Sequence, residues 1–145
     1  MKKILLIFIC LILITGCKNN STVHKKNINR SDEKMSNIKV TISNKTYILN
    51  LENNKTVDEF INLLPQEYTM NELNGNEKYV YMDNSLTTNS YNPKHIEKGD
   101  VMLFGDNCLV IFYKSFDTPY SYTKIGHIDN LEDLESSNIT VRFTK

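Results

Sequence analysis

From residue 38 onward, short apolar segments recur along the chain and are separated by polar turns. In the first segment, Ile38, Val40 and Ile42 alternate with polar residues, which is typical of a strand with one buried face. Comparable segments follow at 47–51, 68–73, 78–82, 101–104, 108–113, 122–128 and 139–143. Many short strands at even spacing predict a mainly β chain that forms one closed or nearly closed barrel of about eight strands.

Turn and helix signals lie between these segments. Asn44-Lys45 and Asn74-Gly75 are predicted hairpin turns, and 83–98 and 115–121 are predicted surface loops. Thr56 and Glu59 have the spacing of a capping box, and the short amphipathic helix that follows is predicted to stop at Pro65. A second short helix is predicted at Asp129, through Leu131 and Leu134.

The first 16 residues have the features of an export signal. Lys2 and Lys3 precede an apolar run over 4–14, which is shorter than the roughly 20 residues that a membrane-spanning helix needs. The signal ends in Ile14-Thr15-Gly16 before Cys17, and this small-small-Cys ending resembles the lipobox of bacterial lipoproteins. The resemblance implies removal of residues 1–16 and a diacylglyceryl anchor on Cys17, which would tether the protein to the extracytoplasmic face of the cell membrane.

Residues 17–37 are predicted to be a flexible tether, because they hold almost no apolar side chains after Cys17. The chain has 17 basic and 17 acidic residues, and charge is unevenly placed: 18–37 carries +3, whereas 38–145 carries −5. A mildly acidic domain without a basic stripe argues against nucleic-acid binding. The basic tether could instead lie against anionic lipid headgroups.

The folded part resembles the bacterial cyclophilin-like fold proteins, which are small β-barrels. The segments that carry the likeness are Glu72–Tyr79, Gly99–Gly105, Leu109–Phe116, Tyr120–Thr123 and Gly126. The likeness extends over 38–143, so it implies a single barrel domain over 38–145. It implies an architecture but carries no established activity with it.

Two enzymatic interpretations are weak on sequence grounds. A prolyl isomerase would need a guanidinium beside the prolyl amide, yet the only arginines are Arg30 in the tether and Arg142 in the last strand, and Lys114 lacks the planar fork. Cys108 paired with a histidine would suit a hydrolase, but the chain has no nucleophile elbow or other local signature. No catalytic residue is therefore predicted.

Metal and thiol chemistry are likewise not predicted. The three histidines lie far apart in the chain, and no acidic loop has a calcium-binding spacing, so we expect neither a metal nor a cofactor. After export, Cys108 would be the one free thiol. It begins a run typical of a buried strand, where a cysteine behaves as a small apolar side chain.

Aromatic residues give the best functional lead. A ligand pocket in a barrel mouth is predicted from six residues in or beside the family-like segments: Tyr79, Tyr81, Lys114, Phe116, Tyr120 and Tyr122. The alternative is that these tyrosines only pack one sheet face. We therefore predict a membrane-anchored accessory module that binds a small molecule or peptide without catalysis. The alternative function is a divergent peptidyl-prolyl isomerase acting on exported proteins.

Overall fold

Eight antiparallel strands close on themselves in a computed structural model that describes residues 34–145. Around the barrel the strands follow the order β1-β10-β3-β4-β7-β6-β9-β2, and two further strands, β5 and β8, pair outside it. The elements are β1 (Asn37–Ile42), β2 (Lys45–Leu51), α1 (Lys55–Leu63), β3 (Gln66–Leu73), β4 (Glu77–Tyr81), β5 (His95–Ile96), β6 (Asp100–Phe104), β7 (Cys108–Phe112), β8 (Phe116–Asp117), β9 (Thr123–Ile128) and β10 (Ile139–Thr144). The predicted closed, mainly β barrel is confirmed.

The barrel interior is filled by the alternating apolar side chains of its strands. Val40 of β1 stands opposite Tyr47 on one side and Phe143 on the other, and both Val40 and Phe143 are fully buried. Because side chains of a strand point alternately to opposite faces, every second residue of β6 and β7 also enters this core. These residues are Val101, Leu103, Leu109 and Ile111.

The hairpin turns follow from their local backbone preferences. Asn74 and Gly75 have φ angles of 55° and 69°, the left-handed conformation that a tight Asn-Gly hairpin turn requires. The first hairpin turns at Ser43-Asn44, with Ser43 at φ 53°, one residue earlier than the predicted Asn44-Lys45, because Lys45 already pairs with Ile42.

Helix α1 packs Val57 and Phe60 into the barrel core, with the Phe60 ring 5.5 Å from that of Phe143. Its cap is Asn54, whose Oδ1 accepts from the Val57 N–H at 2.9 Å. The predicted cap, Thr56, is instead inside the helix and buried, and its hydroxyl donates to the carbonyl of Thr87. The polar groups of the apparent capping box therefore make tertiary hydrogen bonds and do not cap the helix.

The predicted second helix at Asp129 through Leu131 and Leu134 is wrong, since that segment contains no helix. Asn130 has a φ of 55°, which ends any right-handed turn begun at Asp129. Leu131 is instead buried in the barrel core, and this long-range packing outweighs the local helix signal.

The two predicted surface loops form an outer layer over one side of the barrel. His95 of β5 pairs with Asp117 of β8, and Tyr91 forms a bridge with Tyr122 through two hydrogen bonds of 2.9 Å. Beneath them lies a second apolar cluster on the outer face of β6 and β7. Its buried members are Ile96, Met102, Cys108, Val110, Phe112 and Tyr122.

The predicted signal over 1–16, Cys17 and the tether up to residue 33 lie outside the described residues. The last residues before the barrel contact it, since Ser36 accepts a hydrogen bond from the Leu51 N–H and Lys34 forms an ion pair of 2.9 Å with Asp58. Within 34–145, no helix has the length and apolar character needed to span a membrane.

Candidate functional site

The candidate site is a cleft on the outer wall of the barrel, next to the second apolar cluster. Its floor is set by strand register: Cys108 of β7 stands between Tyr81 of β4 and Phe104 of β6, and Val110 stands beside Tyr79. Since side chains at directly paired positions share one face, these five residues form a continuous outward-facing surface.

Two further segments of the chain form the sides of the cleft. Leu73 at the end of β3 and Asn74 in the β3–β4 turn lie on one side, and the segment after β8 supplies Tyr120 and Tyr122 on the other. The enclosed space is about 350 Å³, at the small end of the range for small-molecule sites. The ten lining residues are Leu73, Asn74, Glu77, Tyr79, Tyr81, Phe104, Cys108, Val110, Tyr120 and Tyr122.

Exposed apolar area is concentrated at this cleft. Of the six large apolar side chains that are exposed within residues 34–145, four line it: Leu73, Tyr81, Phe104 and Tyr120. Tyr81 is 65% exposed and Tyr120 is 60% exposed. Scattered apolar residues on a surface need no explanation, whereas a contiguous group of them marks an interaction site.

The aromatic rings of the cleft form two groups in mutual contact, in which two ring pairs are edge-to-face and the Phe104–Tyr122 pair is tilted at 53°. Tyr79 and Tyr81 have ring centroids 5.9 Å apart with planes at 81°. Across the floor, the Phe104 ring is 6.1 Å from Tyr120 and 5.6 Å from Tyr122. Edge-to-face contacts of this kind stabilise ring positions, so the cleft is lined by groups held in place before any ligand arrives.

Glu77 is the only charged residue among the ten that line the cleft. Burial raises the pKa of its carboxyl to about 6, and the negative charge of Glu72 adds to the rise. Within the described chain, no side chain or backbone N–H donates a hydrogen bond to this carboxylate, and no lysine, arginine or histidine pairs with it. The negative charge of Glu77 also raises the pKa of the Cys108 thiol and of the Tyr122 phenol, although burial is the largest cause of the rise in both groups.

The neighbouring Glu72 has a full set of partners. The ammonium of Lys78, a side chain with no exposed surface, donates to Glu72 Oε2 and to the carbonyl of Ser137. Tyr113 donates its hydroxyl to Glu72 Oε1 at 2.8 Å, and the Gly75 N–H donates to the same oxygen. Burial alone would raise the pKa of Glu72, but these donors hold it below its ordinary value.

Among residues 34–145, Cys108 does not form a nucleophile–base pair with His95 or His127. Burial raises the pKa of the Cys108 thiol to about 11, and the nearby Glu77 charge contributes to the rise. His95 Nδ1 lies 2.6 Å from Asp117, and His127 Nδ1 lies 2.9 Å from the buried Asp100. A protonated, shielded thiol without a base is a weak nucleophile.

Four of the six residues predicted for the pocket line this cleft, and two do not. Tyr79, Tyr81, Tyr120 and Tyr122 converge there. Phe116 packs against Phe112 in the second apolar cluster, with ring centroids 5.6 Å apart. The Lys114 ammonium lies 6.0 Å from the centroid of the Tyr113 ring and is not among the lining residues.

The cleft residues that sequence reasoning missed are Phe104 and Glu77 above all. A signal for Phe104 was present, because a tight turn at 105–107 places it directly opposite Cys108. Glu77 follows the Asn-Gly turn and looks like an ordinary polar residue. Its lack of a partner depends on long-range packing, which no local pattern reveals.

Two kinds of site are not formed by the described residues. Arg142, the one arginine in 34–145, pairs with Glu67 at 2.7 Å on β10 and β3 and does not line the cleft. Within the same residues, no group of three or more histidine, cysteine, aspartate or glutamate side chains is placed to hold a metal ion.

Comparison with known proteins gives one match. A model of the cyclophilin-like family matches residues 40–144, which includes the second half of β1 and all of the other barrel strands. No curated protein and no solved structure matches the chain.

Proposed function

The chain belongs to the cyclophilin-like family, and from this premise we propose that its barrel is a non-catalytic binding or accessory module. In this proposal a small molecule or short peptide enters the aromatic cleft on the outer wall. The protein is held on the extracytoplasmic face of the cell membrane through a lipidated Cys17. The partners are therefore the membrane and one ligand of the cleft.

One observation carries the binding role: four exposed apolar side chains surround a single cleft whose rings are already fixed by edge contacts. Exposing this area to water is unfavourable, at about 25 cal/mol per Å² of apolar surface. A ligand that covers the rings would recover that free energy without reorganising the barrel. The cleft shares Cys108, Val110 and Tyr122 with the second apolar cluster, so its floor is continuous with packed side chains.

Binding can be tested on the chain from Lys18 onward, which contains the whole closed barrel. We expect a panel of small aromatic compounds and proline-containing tetrapeptides to shift amide resonances of cleft residues in ¹H–¹⁵N spectra. Tyr120→Ala should abolish these shifts. Ile48→Ala, which removes an exposed apolar side chain away from the cleft, should leave them unchanged. Shifts scattered over the surface, or equal effects of both variants, would contradict the proposal.

The absence of catalysis is tested with the same protein. A proline peptide exchanges between cis and trans in tens to hundreds of seconds without a catalyst. Because no guanidinium of the described chain reaches the cleft, we expect exchange spectroscopy to show no acceleration. Acceleration that disappears in Tyr120→Ala would make the protein a peptidyl-prolyl isomerase.

The anchor rests on the sequence of the first 17 residues, where the apolar run ends in Ile14-Thr15-Gly16-Cys17. Metabolic labelling with palmitate should mark the wild-type chain, and Cys17→Ser should lose the label and accumulate unprocessed or released protein. Cys10→Ser is the matched control, since Cys10 lies within the apolar run before the cleavage site. Equal labelling of all three chains would rule out lipidation at Cys17.

A further inference from the structure

We propose that the cleft recognises a small organic cation, a protonated amine or a quaternary ammonium attached to an apolar body. This inference rests on the proposed binding function and narrows its ligand to one chemical class. It follows from the juxtaposition of an unpaired carboxylate, Glu77, with the five aromatic rings of the cleft.

The first step concerns charge. Glu72, which is partly exposed, and Asp100, which is buried, are each paired: Glu72 with Lys78, and Asp100 with Lys124 at 3.1 Å. Glu77 has no such counterion among residues 34–145, and the charge that acts on it, that of Glu72, has the same sign. A half-buried carboxylate without a partner has lost hydration that nothing in the described chain replaces. A cationic ligand would replace it.

The second step concerns the aromatic rings, whose faces attract cations within about 6 Å of the ring centroid. The described chain contains three lysine–tyrosine contacts of this kind, at 5.6, 5.3 and 6.0 Å, and they involve only Tyr47 and Tyr113. No ring of the cleft is used in this way. The exposed rings of Tyr81, Phe104 and Tyr120 are therefore open to a cation from outside.

The third step concerns size and selectivity. A space of about 350 Å³ admits a small molecule and excludes a folded partner. Rings and carboxylate favour a positive group with an apolar body, whereas an anion would meet both the carboxylate and the negative ring faces. The expected order of affinity is therefore cation, then neutral analogue, then anion.

Three probes of nearly the same shape test this order: 2-phenylethylammonium, 2-phenylethanol and phenylacetate. Titration of the chain from Lys18 onward, followed by amide chemical shifts at neutral pH, should give a dissociation constant for the ammonium about tenfold below that of the alcohol. Phenylacetate should bind more weakly than the alcohol. Glu77→Gln should lower the affinity for the ammonium to that for the alcohol. The control, Glu52→Gln, changes an exposed carboxylate outside the cleft and should preserve the order of affinities for the three probes.

A pH series gives a second readout that a purely structural role of Glu77 would not produce. The titratable groups around it are Glu72, the Cys108 thiol and the phenols of Tyr79, Tyr81, Tyr120 and Tyr122. The pKa of Glu77 is about 6, that of Cys108 is about 11, and that of Glu72 lies below its ordinary value. Ammonium affinity should therefore rise between about pH 5 and about pH 7.5, and alcohol affinity should not change.

The outcomes separate this inference from the proposed function. If all three probes bind alike and Tyr120→Ala abolishes all three, the cleft is a binding site but the preference for cations is wrong. If the ammonium does not bind up to its solubility limit, the inference is also overturned. The proposed function then fails only if the wider panel of aromatic compounds and peptides fails as well.

Discussion

Glu72 and Glu77 lie on either side of one tight turn, and the fold shifts the pKa values of the two carboxylates in opposite directions. Glu72 accepts hydrogen bonds from Lys78, Tyr113 and the Gly75 N–H, and its pKa is lowered. Glu77 faces an aromatic cleft, has no donor among the described residues, and its pKa is raised to about 6. Two identical side chains five positions apart therefore differ in which protonation state the fold favours.

Glu72 therefore contributes to the stability of the fold, whereas Glu77 has no protein partner among the described residues. The Glu72 network joins the β3–β4 hairpin to the segment before β10, since Lys78 also donates to the carbonyls of Glu135 and Ser137. Removing a member of this network leaves another buried polar group without a partner. Glu77 has no comparable network among the described residues, so the burial of its charge has a cost to stability that no partner offsets there.

The most disruptive way to test this comparison is Lys78→Met. The variant leaves the Glu72 carboxylate without its buried counterion, so we expect the free energy of unfolding to fall by about 3 kcal/mol at neutral pH. Urea denaturation measures the change, and Lys39→Met on the exposed face of β1 is the control. The difference should shrink as the pH falls through the lowered pKa of Glu72, where protonation removes the charge in both proteins. An unchanged midpoint would show that the network is dispensable.

Tyr113→Phe removes one donor and keeps the ring. Because the hydroxyl bonds to a charged but partly exposed carboxylate, we expect a loss of about 1.5 kcal/mol in unfolding free energy. Burial and Glu72 together raise the pKa of Tyr113 to about 12, and loss of its hydroxyl should in turn raise the pKa of Glu72. Carboxyl chemical shifts followed with pH report that pKa. A Glu72 titration identical to the wild type would contradict the assigned hydrogen bond.

Glu77→Gln should change the free energy of unfolding in the opposite direction. The pKa of Glu77 rises from 4.5 to about 6 on folding, so its ionisation destabilises the folded state as the pH increases through that interval. The variant should therefore be more stable than the wild type at about pH 8, by less than about 1 kcal/mol because solvent screens a half-buried group, and equal to it at about pH 4. Thermal unfolding at the two pH values measures this. Destabilisation at the higher pH would mean that Glu77 has a structural partner.

The smallest effect is expected for Tyr81→Ala. Its side chain is 65% exposed and lies over the cleft floor, so the free energy of unfolding should change by less than about 0.5 kcal/mol. Leu109→Ala, in the adjacent strand but inside the barrel, is the contrast and should cost about 3 kcal/mol. Similar losses in the two variants would mean that the cleft rings belong to the core.

Local patterns were sufficient to predict the barrel but only part of the cleft. Alternation in β1 and the Asn74-Gly75 turn act within a few residues, and the structure confirms the strands that they predicted. The helix expected at Asp129 failed because burial of Leu131 depends on distant strands. Four tyrosines predicted for a pocket do meet, although their role in binding stays a prediction.

The rest of the cleft required knowledge of which strands lie side by side. Lys114 was predicted for the pocket because it lies in a family-like segment with the aromatic residues. It follows Tyr113, a buried core residue just after β7, and its ammonium lies near the Tyr113 ring and not among the residues that line the cleft. The carboxylate of the cleft is Glu77, which carries no distinctive neighbours in the sequence. Glu77 is distinguished by having no hydrogen-bond donor or counterion among the described residues, and that depends on three-dimensional packing.

The position of the cleft on the outer wall has an evolutionary consequence. In β7, the residues that fill the barrel, Leu109 and Ile111, alternate with the residues that face the outer layer, Cys108 and Val110. Mutations on one side of the wall therefore need not disturb the packing on the other. The rings and the carboxylate of the outer wall can accordingly change during evolution while the barrel interior is inherited unchanged.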